Sequence, residues 1–318
     1  MIYLGVDIGG TRIKAGLVDE AGQIVVRKIV DTPTNLDAFK AAFAEVVRDL
    51  VAGGASPAGA GVGCKGIVNS ATTEVEIVPG TFRFLEGVRL SALVESALGR
   101  NVPVYADNDA RVALSGEIAW GAARGRKNVV MLTLGTGVGG AVLAEGKMLR
   151  GVGGVAGHLG HVSVDPEGAV CFCGNRGCVE TFFSARAIEA EAIHHVHRGC
   201  ESALTDNYAG RTDELTCQAV FEIAARGDEV ARRIRDRATE KLGAVIASLL
   251  NVFDPEVVIV GGQISEAGAT LFEPLGREVT SRTRRLLGRE VQIVPQGVAD
   301  RSGIVGAASL AAPGERSP

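Results

Sequence analysis

Asp7-Ile8-Gly9-Gly10-Thr11-Arg12-Ile13-Lys14 decides the fold of this chain, because its plan of apolar run, glycine turn and apolar run returns at Leu134-Gly135-Thr136-Gly137-Val138-Gly139-Gly140. Residues 2–8, 13–19 and 24–30 read as three short strands, separated by Gly9-Gly10-Thr11 and by the turn Asp19-Glu20-Ala21-Gly22. Glycines permit a sharp turn whose backbone N–H groups, with the Thr11 hydroxyl, can face a phosphate. Asp7 at the end of the first strand is suited to hold Mg²⁺ through water, and Lys14 adds positive charge. The second turn offers Gly135, Gly137, Gly139, Gly140 and Thr136 without a bulky polar side chain, so several N–H donors can surround phosphate oxygens. An ordinary hairpin with a solvated lysine explains the first turn taken singly; two such turns in one chain are far less expected by chance. Neither opens a helix, which separates both from the phosphate loop and the dinucleotide fingerprint.

Outward from these turns, strands and helices alternate. Leu36 to Val51 carries Phe39, Ala42, Phe43, Val46, Val47 and Leu50 at helical spacing and stops at Gly53-Gly54. Strands follow near 60–64 and 102–106 with an irregular stretch over 65–90, and Ala110 to Trp120 reads as a helix. The second half opens with strands over 128–134 and 141–144, then a glycine-rich region over 150–180 with little periodicity. Helices are predicted over 184–197, 213–226 and 228–250, strands over 257–260 and 291–294, and a last helix over 303–312. The echo between halves predicts two related α/β domains facing across a cleft. Residues 1–118 form the smaller one, with the last helix packing back on it, and 119–300 the larger.

Composition narrows the function. At roughly 150 residues per domain, 318 residues suit two domains. The 33 Lys plus Arg against 37 Asp plus Glu give a net charge of −4, too balanced for a nucleic-acid or anionic-membrane binder. No window approaches the ~20 apolar residues of a membrane span. The start, Met1-Ile2-Tyr3-Leu4-Gly5-Val6-Asp7, reads as a strand rather than a secretory signal, so a cytoplasmic protein is expected. Aromatics at 4% argue against stacking platforms for single strands. Glycine, 43 of 318, is nearly twice the usual ~7% with no collagen-like period, so the backbone must approach something closely in many places.

Three of the six cysteines crowd into Cys171-Phe172-Cys173-Gly174-Asn175-Arg176-Gly177-Cys178, behind His161. One imidazole and three thiolates satisfy tetrahedral Zn²⁺, and the loop between them has no evident other way to order itself. Cys64, Cys200 and Cys217 read as packing residues, and His194, His195 and His197 as an exposed helix face.

Together these motifs resemble the ROK sugar kinases of the actin/hexokinase-like (ribonuclease H-like) superfamily. Residues 7–14 are similar to that family's first phosphate motif and 134–140 to its second. Val257 to Gly262, with Gly261 and Gly262, resembles its adenosine-side motif, and the likeness runs to Gly306-Ala307-Ala308. The resemblance implies an ATP:hexose 6-phosphotransferase using Mg²⁺, with a structural Zn²⁺ on His161, Cys171, Cys173 and Cys178. Asp109 matches the family's catalytic aspartate: phosphoryl transfer needs the hydroxyl oriented and its proton removed, and one carboxylate does both. Asn-Asp-Ala can equally be a helix N-cap. Asn108 matches a sugar-binding asparagine, and Asp107 is set outside the chemistry. Glu180 and His161 carry over as sugar contacts, and a homodimer is the expected assembly.

The sequence departs from the family at the sugar. His158-Leu159-Gly160-His161 puts an imidazole where a carboxylate is expected, and a histidine can donate as well as accept. Lys65 precedes Gly66 where a small residue or proline is usual, and Pro79 to Phe84 replaces an asparagine-containing loop, with Thr81 and Arg83 as candidate sugar contacts. These changes make a modified glucose, such as 3-amino-3-deoxyglucose (kanosamine), an alternative to plain glucose. The family's repressor branch adds an N-terminal helix-turn-helix, for which a motif beginning at Asp7 leaves no room; a non-catalytic sugar sensor sits poorly with Asp109 and two phosphate turns. A small-molecule sugar is therefore the expected partner, and nucleic acid is not.

Overall fold

A computed structural model describes residues 1–78, 80–283, 290–298 and 302–312 of the chain, with Thr81 described in its backbone alone. The chain divides into two compact units. The first comprises Met1–Arg126, Gly146–Ala156 and the chain from Gln296 onward; the second comprises Lys127–Glu145 and Gly157–Pro295.

In the first unit, Ile2–Ile8, Arg12–Asp19 and Ile24–Asp31 form an antiparallel meander. Ala60–Cys64 then pairs parallel to the first strand, and Val104–Asn108 parallel to Ala60–Cys64. The second unit repeats this plan. Val138–Ala144 lies antiparallel to Val129–Leu134, and Val257–Gly261 and Gln292–Pro295 follow in parallel. The parallel strands are near-continuous apolar runs because they are covered on both faces: all five residues of Val257–Gly261 are buried. Each sheet thus opens with a hairpin at one of the two glycine turns.

Helix Leu36–Val51 is capped by Asn35, whose side chain accepts from Ala38 N–H, and buries Phe39, Phe43, Val46, Val47 and Leu50. Helix Ser302–Ser309 explains part of the glycine excess. A Cβ on Gly5 would strike the Ile304 carbonyl and one on Gly61 the Ala307 carbonyl, while Gly116 and Gly306 meet backbone to backbone. Much of the close approach is therefore helix against sheet, with Gly as the residue that permits it.

Two helices of the structure, Leu90–Leu98 and Ala269–Thr283, carry no prediction from the sequence. Pro274 and Gly276 inside the second obscure its periodicity, yet Leu271, Leu275 and Val279 still form one buried face. The sequence runs its second domain unbroken from 119 to 300, whereas the contacts leave residues through Arg126 with the first unit and return 146–156 to it. Among the described residues no helix is long and apolar enough to cross a membrane.

Candidate active site and metal centre

In the first unit, strand Val104–Asn108 runs directly into helix Asp109–Trp120. Asn108 is the N-cap: its Oδ1 accepts from Ala110 N–H at 3.0 Å, and its Nδ2 donates to the Gly66 carbonyl at 2.9 Å. The cap that the sequence allows for Asp109 thus belongs to Asn108. Asp109 occupies the first helical position, exposed, with one oxygen 2.9 Å from the same Ala110 N–H. Gly66, at φ 96°, sits where a Cβ would strike the Ile77 carbonyl, so its role is to place a carbonyl against Asn108.

The first glycine turn is closed by Gly9 N–H donating to the Arg12 carbonyl at 3.0 Å. Thr32 braces it from the third strand, its hydroxyl donating to the Gly9 carbonyl (2.9 Å) and its N–H to the Thr11 carbonyl (2.9 Å). Gly10 and Thr11 remain exposed. Behind them Asp7 faces Lys14 at 3.9 Å. Burial pushes the Asp7 carboxyl up to about 6; Lys14 opposes that and the Asp109 charge adds to it. The two carboxylates of this unit therefore sense each other.

In the second unit the turn at 135–140 is locked to the candidate sugar ligands. Glu180 Oε2 accepts from Val138 N–H at 2.7 Å, and a Cβ on Gly137 would lie 2.5 Å from that oxygen. A Cβ on Gly140 would meet Leu159 at 2.5 Å, and one on Gly160 would strike the Val138 carbonyl. Gly135 N–H closes on the Gly137 carbonyl (3.0 Å), and the Gly135 carbonyl accepts from Ala185 N–H (2.9 Å) at the start of helix Ala185–His197. Thr136 is exposed, and Gly139 lies half-buried in the strand. Gly262 follows the buried Gly261 at φ 83°, where a Cβ would collide with Leu134 backbone, so the adenosine-side turn abuts the strand that carries the second phosphate turn.

His161, Cys171, Cys173 and Cys178 converge, their ligand atoms all within 4.8 Å of one another. His161 Nδ1 lies 3.6 Å from Cys171 Sγ, and the Cys173 and Cys178 sulfurs are 3.6 Å apart. Zn–S bonds of about 2.3 Å give tetrahedral edges of about 3.8 Å, so the spacing suits a zinc-sized ion; a disulfide would need about 2.05 Å. Burial first, and neighbouring sulfurs second, push the Cys178 thiol up to about 12, a state that a shared dication reverses. Nδ1 faces the sulfurs, which leaves Nε2 as the imidazole edge for any second contact.

The remaining sequence candidates lie as follows. His158 is half-buried ahead of the turn Leu159–His161. Arg83 is 76% exposed with Glu86 at 3.7 Å, and Lys65 is exposed. The Thr81 side chain and Pro79 lie outside the described structure. His194 and His197 are exposed as expected, whereas His195 is half-buried with Nδ1 3.4 Å from Cys200 Sγ. The sequence gives no sign of two buried acids. Asp107 accepts from Arg111 and Arg150, each at 3.0 Å. Glu117, fully buried, accepts from the N–H groups of Ala122, Gly297 and Val298 at 2.7–3.0 Å. A carboxylate inside an otherwise apolar helix stretch, as at Glu117, is the signal that could have found the second.

A family model described as ROK family matches residues 3–313. The glucokinase of Thermotoga maritima is 35% identical over 309 residues, 96% of this chain and 96% of its own. The glucokinase of Streptomyces coelicolor is 35% identical over 316 residues, 98% and 97% of the two chains. The crystal structure of a ROK family glucokinase from Streptomyces griseus in complex with glucose and AMPPNP is similar with a TM-score of 0.85 and 32% identity, covering 98% of this chain and 99% of that one. The two α/β units are those of the two-domain actin-like sugar-kinase fold, and the chain belongs to the ROK family.

Proposed function

We propose that the protein is an ATP-dependent hexose kinase that moves the γ-phosphoryl group of Mg·ATP to the 6-hydroxyl of glucose or a glucose-like sugar. The observation that carries this reading is Asp109: an exposed carboxylate on the first turn of a helix whose cap is supplied by Asn108 instead. Asp109 orients the attacking hydroxyl and takes its proton as the new oxygen–phosphorus bond forms. Asn108, His158, Glu180 and the free edge of His161 hold the sugar. Gly9, Gly10 and Thr11 bind the nucleotide phosphates with Lys14 from the first unit, and Gly135, Thr136, Gly137 and Gly139 from the second. Gly261 and Gly262 serve the adenosine side. Mg²⁺ neutralises phosphate charge, with Asp7 as its water-mediated partner. Zn²⁺ on His161, Cys171, Cys173 and Cys178 fixes the loop that carries Glu180. A cytoplasmic homodimer acting on a small sugar, without nucleic acid, completes the reading.

The test is ADP release over glucose, mannose, allose, glucosamine, 3-amino-3-deoxyglucose and N-acetylated hexoses. Sugar-dependent release with glucose or an amino-deoxyglucose is expected; sugar binding without release would make the protein a sensor. Half-buried His158 favours the second substrate as an alternative, since an imidazole can offer a donor where a carboxylate cannot. His158→Glu, run over the same panel, should shift preference toward glucose, and an unchanged profile removes His158 from specificity.

Asp7 supplies a pH signature. Its folded carboxyl titrates near 6 instead of 3.8, so the ionised form is the costly one. Stability tied to Asp7 therefore rises as pH falls through about 6. Activity moves the other way, because a protonated Asp7 cannot serve Mg²⁺: kcat/KM for Mg·ATP should fall as pH drops through about 6. Asp7→Asn should lower that constant and erase this limb, and a variant retaining the same limb would assign it elsewhere.

A further inference from the structure

Asp107 and Arg111 form a buried ion pair that the reaction above does not use. The Arg111 side chain is 1% exposed, and its NH1 donates to Asp107 Oδ1 at 3.0 Å. Its NH2 donates to two carbonyls, Gly154 at 2.6 Å and Ala156 at 2.7 Å. The remaining Asp107 oxygen accepts from Arg150 Nε at 3.0 Å, and Asn108 N–H donates to Oδ1 at 2.8 Å. Ala156 N–H returns to the Arg150 carbonyl at 3.1 Å. Both ends of 150–156 are thus tied to the strand–helix junction that carries Asn108 and Asp109.

Stability does not explain this arrangement. Charges taken out of water cost more than their attraction returns unless every donor is satisfied, and apolar residues of similar volume usually serve a core as well. Here Arg111 Nε is buried with no hydrogen-bond partner, which adds to the cost. What the network does supply is a fixed position for a loop with little to hold it otherwise. Gly151 and Gly154 take φ of 71° and 68°, and Gly151, Val152, Gly153 and Val155 are exposed. Ala156 is followed immediately by Gly157-His158, so the grip on its carbonyl sets where the sugar-binding segment begins.

We infer that Asp107, Arg111 and Arg150 are positioning residues for the sugar, acting through the 150–156 loop on the segment that starts at His158. The inference rests on the kinase reading above. It is tested on the full-length, metal-loaded protein with Arg150→Met and Asp107→Asn. Sugar KM should rise at least tenfold while kcat and the KM for ATP stay within threefold, metal content is unchanged, and amide exchange over 151–156 quickens. Arg150→Lys should recover much of the sugar KM. Loss of active protein with an unaltered sugar KM would mean a purely structural role and overturn the inference. Arg150 is 32% exposed, so its variant should fold even if Asp107→Asn does not, and it then decides alone. Should the wild type show no sugar-dependent turnover, the kinase reading falls; a direct sugar titration of Arg150→Met still decides the clamp, unchanged affinity overturning it.

Discussion

Asp109→Asn is expected to lower kcat by about 10²–10⁴-fold, the range that a positioned general base contributes. Sugar KM, metal content and thermal midpoint should barely change. The reason lies in what Asn retains. It is nearly isosteric, and it can still accept from Ala110 N–H, which Asn108 Oδ1 also holds at 3.0 Å, so the helix start survives. It can also orient a hydroxyl by hydrogen bonding. It cannot take that hydroxyl's proton as phosphorus is attacked. A structural residue at the same place would show the opposite split, with a lower midpoint and a turnover that follows the folded fraction. Steady-state kinetics beside a melting curve separate the two, and near-native turnover would remove Asp109 as the base.

What was legible in the sequence is what short-range pattern encodes. The strand–turn–strand units at 7–14 and 134–140 are local, and so is the Cys171-Cys173-Cys178 spacing that folds onto His161. Helix 36–51 announces itself by periodicity and by a glycine stop. The illegible parts are pairings across long stretches of chain. Nothing near Glu117 in sequence signals that it will hold the N–H groups of Gly297 and Val298. Nothing near Asp107 signals Arg150. Helix Ala269–Thr283 is hidden for a different reason: Pro274 and Gly276 break local propensity, and burial of Leu271, Leu275 and Val279 overrides it. The same limit applies to the second phosphate turn. Its glycines suggest an anion site, but only the structure shows that Gly137 leaves room for the Glu180 carboxylate and that Gly140 and Gly160 let the turn interlock with 157–161.

That interlock extends the expected effect of losing the metal. From the sequence, zinc orders a sugar loop and leaves phosphate chemistry untouched. In the structure the loop has few other restraints: Val164 N–H to the Gly177 carbonyl (2.8 Å), Val179 N–H to the Val162 carbonyl (2.9 Å) and Cys171 N–H to the Asn175 carbonyl (2.8 Å). Phe172 and Val170 are 62% and 61% exposed, so apolar burial adds little at the tip. Structural zinc contributes about 10–16 kcal/mol in zinc-finger peptides, far more than three backbone hydrogen bonds at ~0.5–1.5 kcal/mol each. Cys178→Ser, or chelation of the wild type, should therefore release the metal and free Cys178-Val179-Glu180. Losing one or two charge-assisted contacts to the sugar should raise its KM by about 10–100-fold. Because Glu180 also holds Val138 N–H at 2.7 Å, the turn at 135–140 should loosen with it, and the KM for ATP should rise as well, by a smaller factor. Cys200→Ser, outside the cluster, is the control and should change neither constant. Restored zinc should recover the chelated wild type but not Cys178→Ser. A metal-free protein with unchanged KM for both substrates would sever the cluster from the site; a rise for sugar alone would show that the Glu180–Val138 bond is too weak to pass the disorder on.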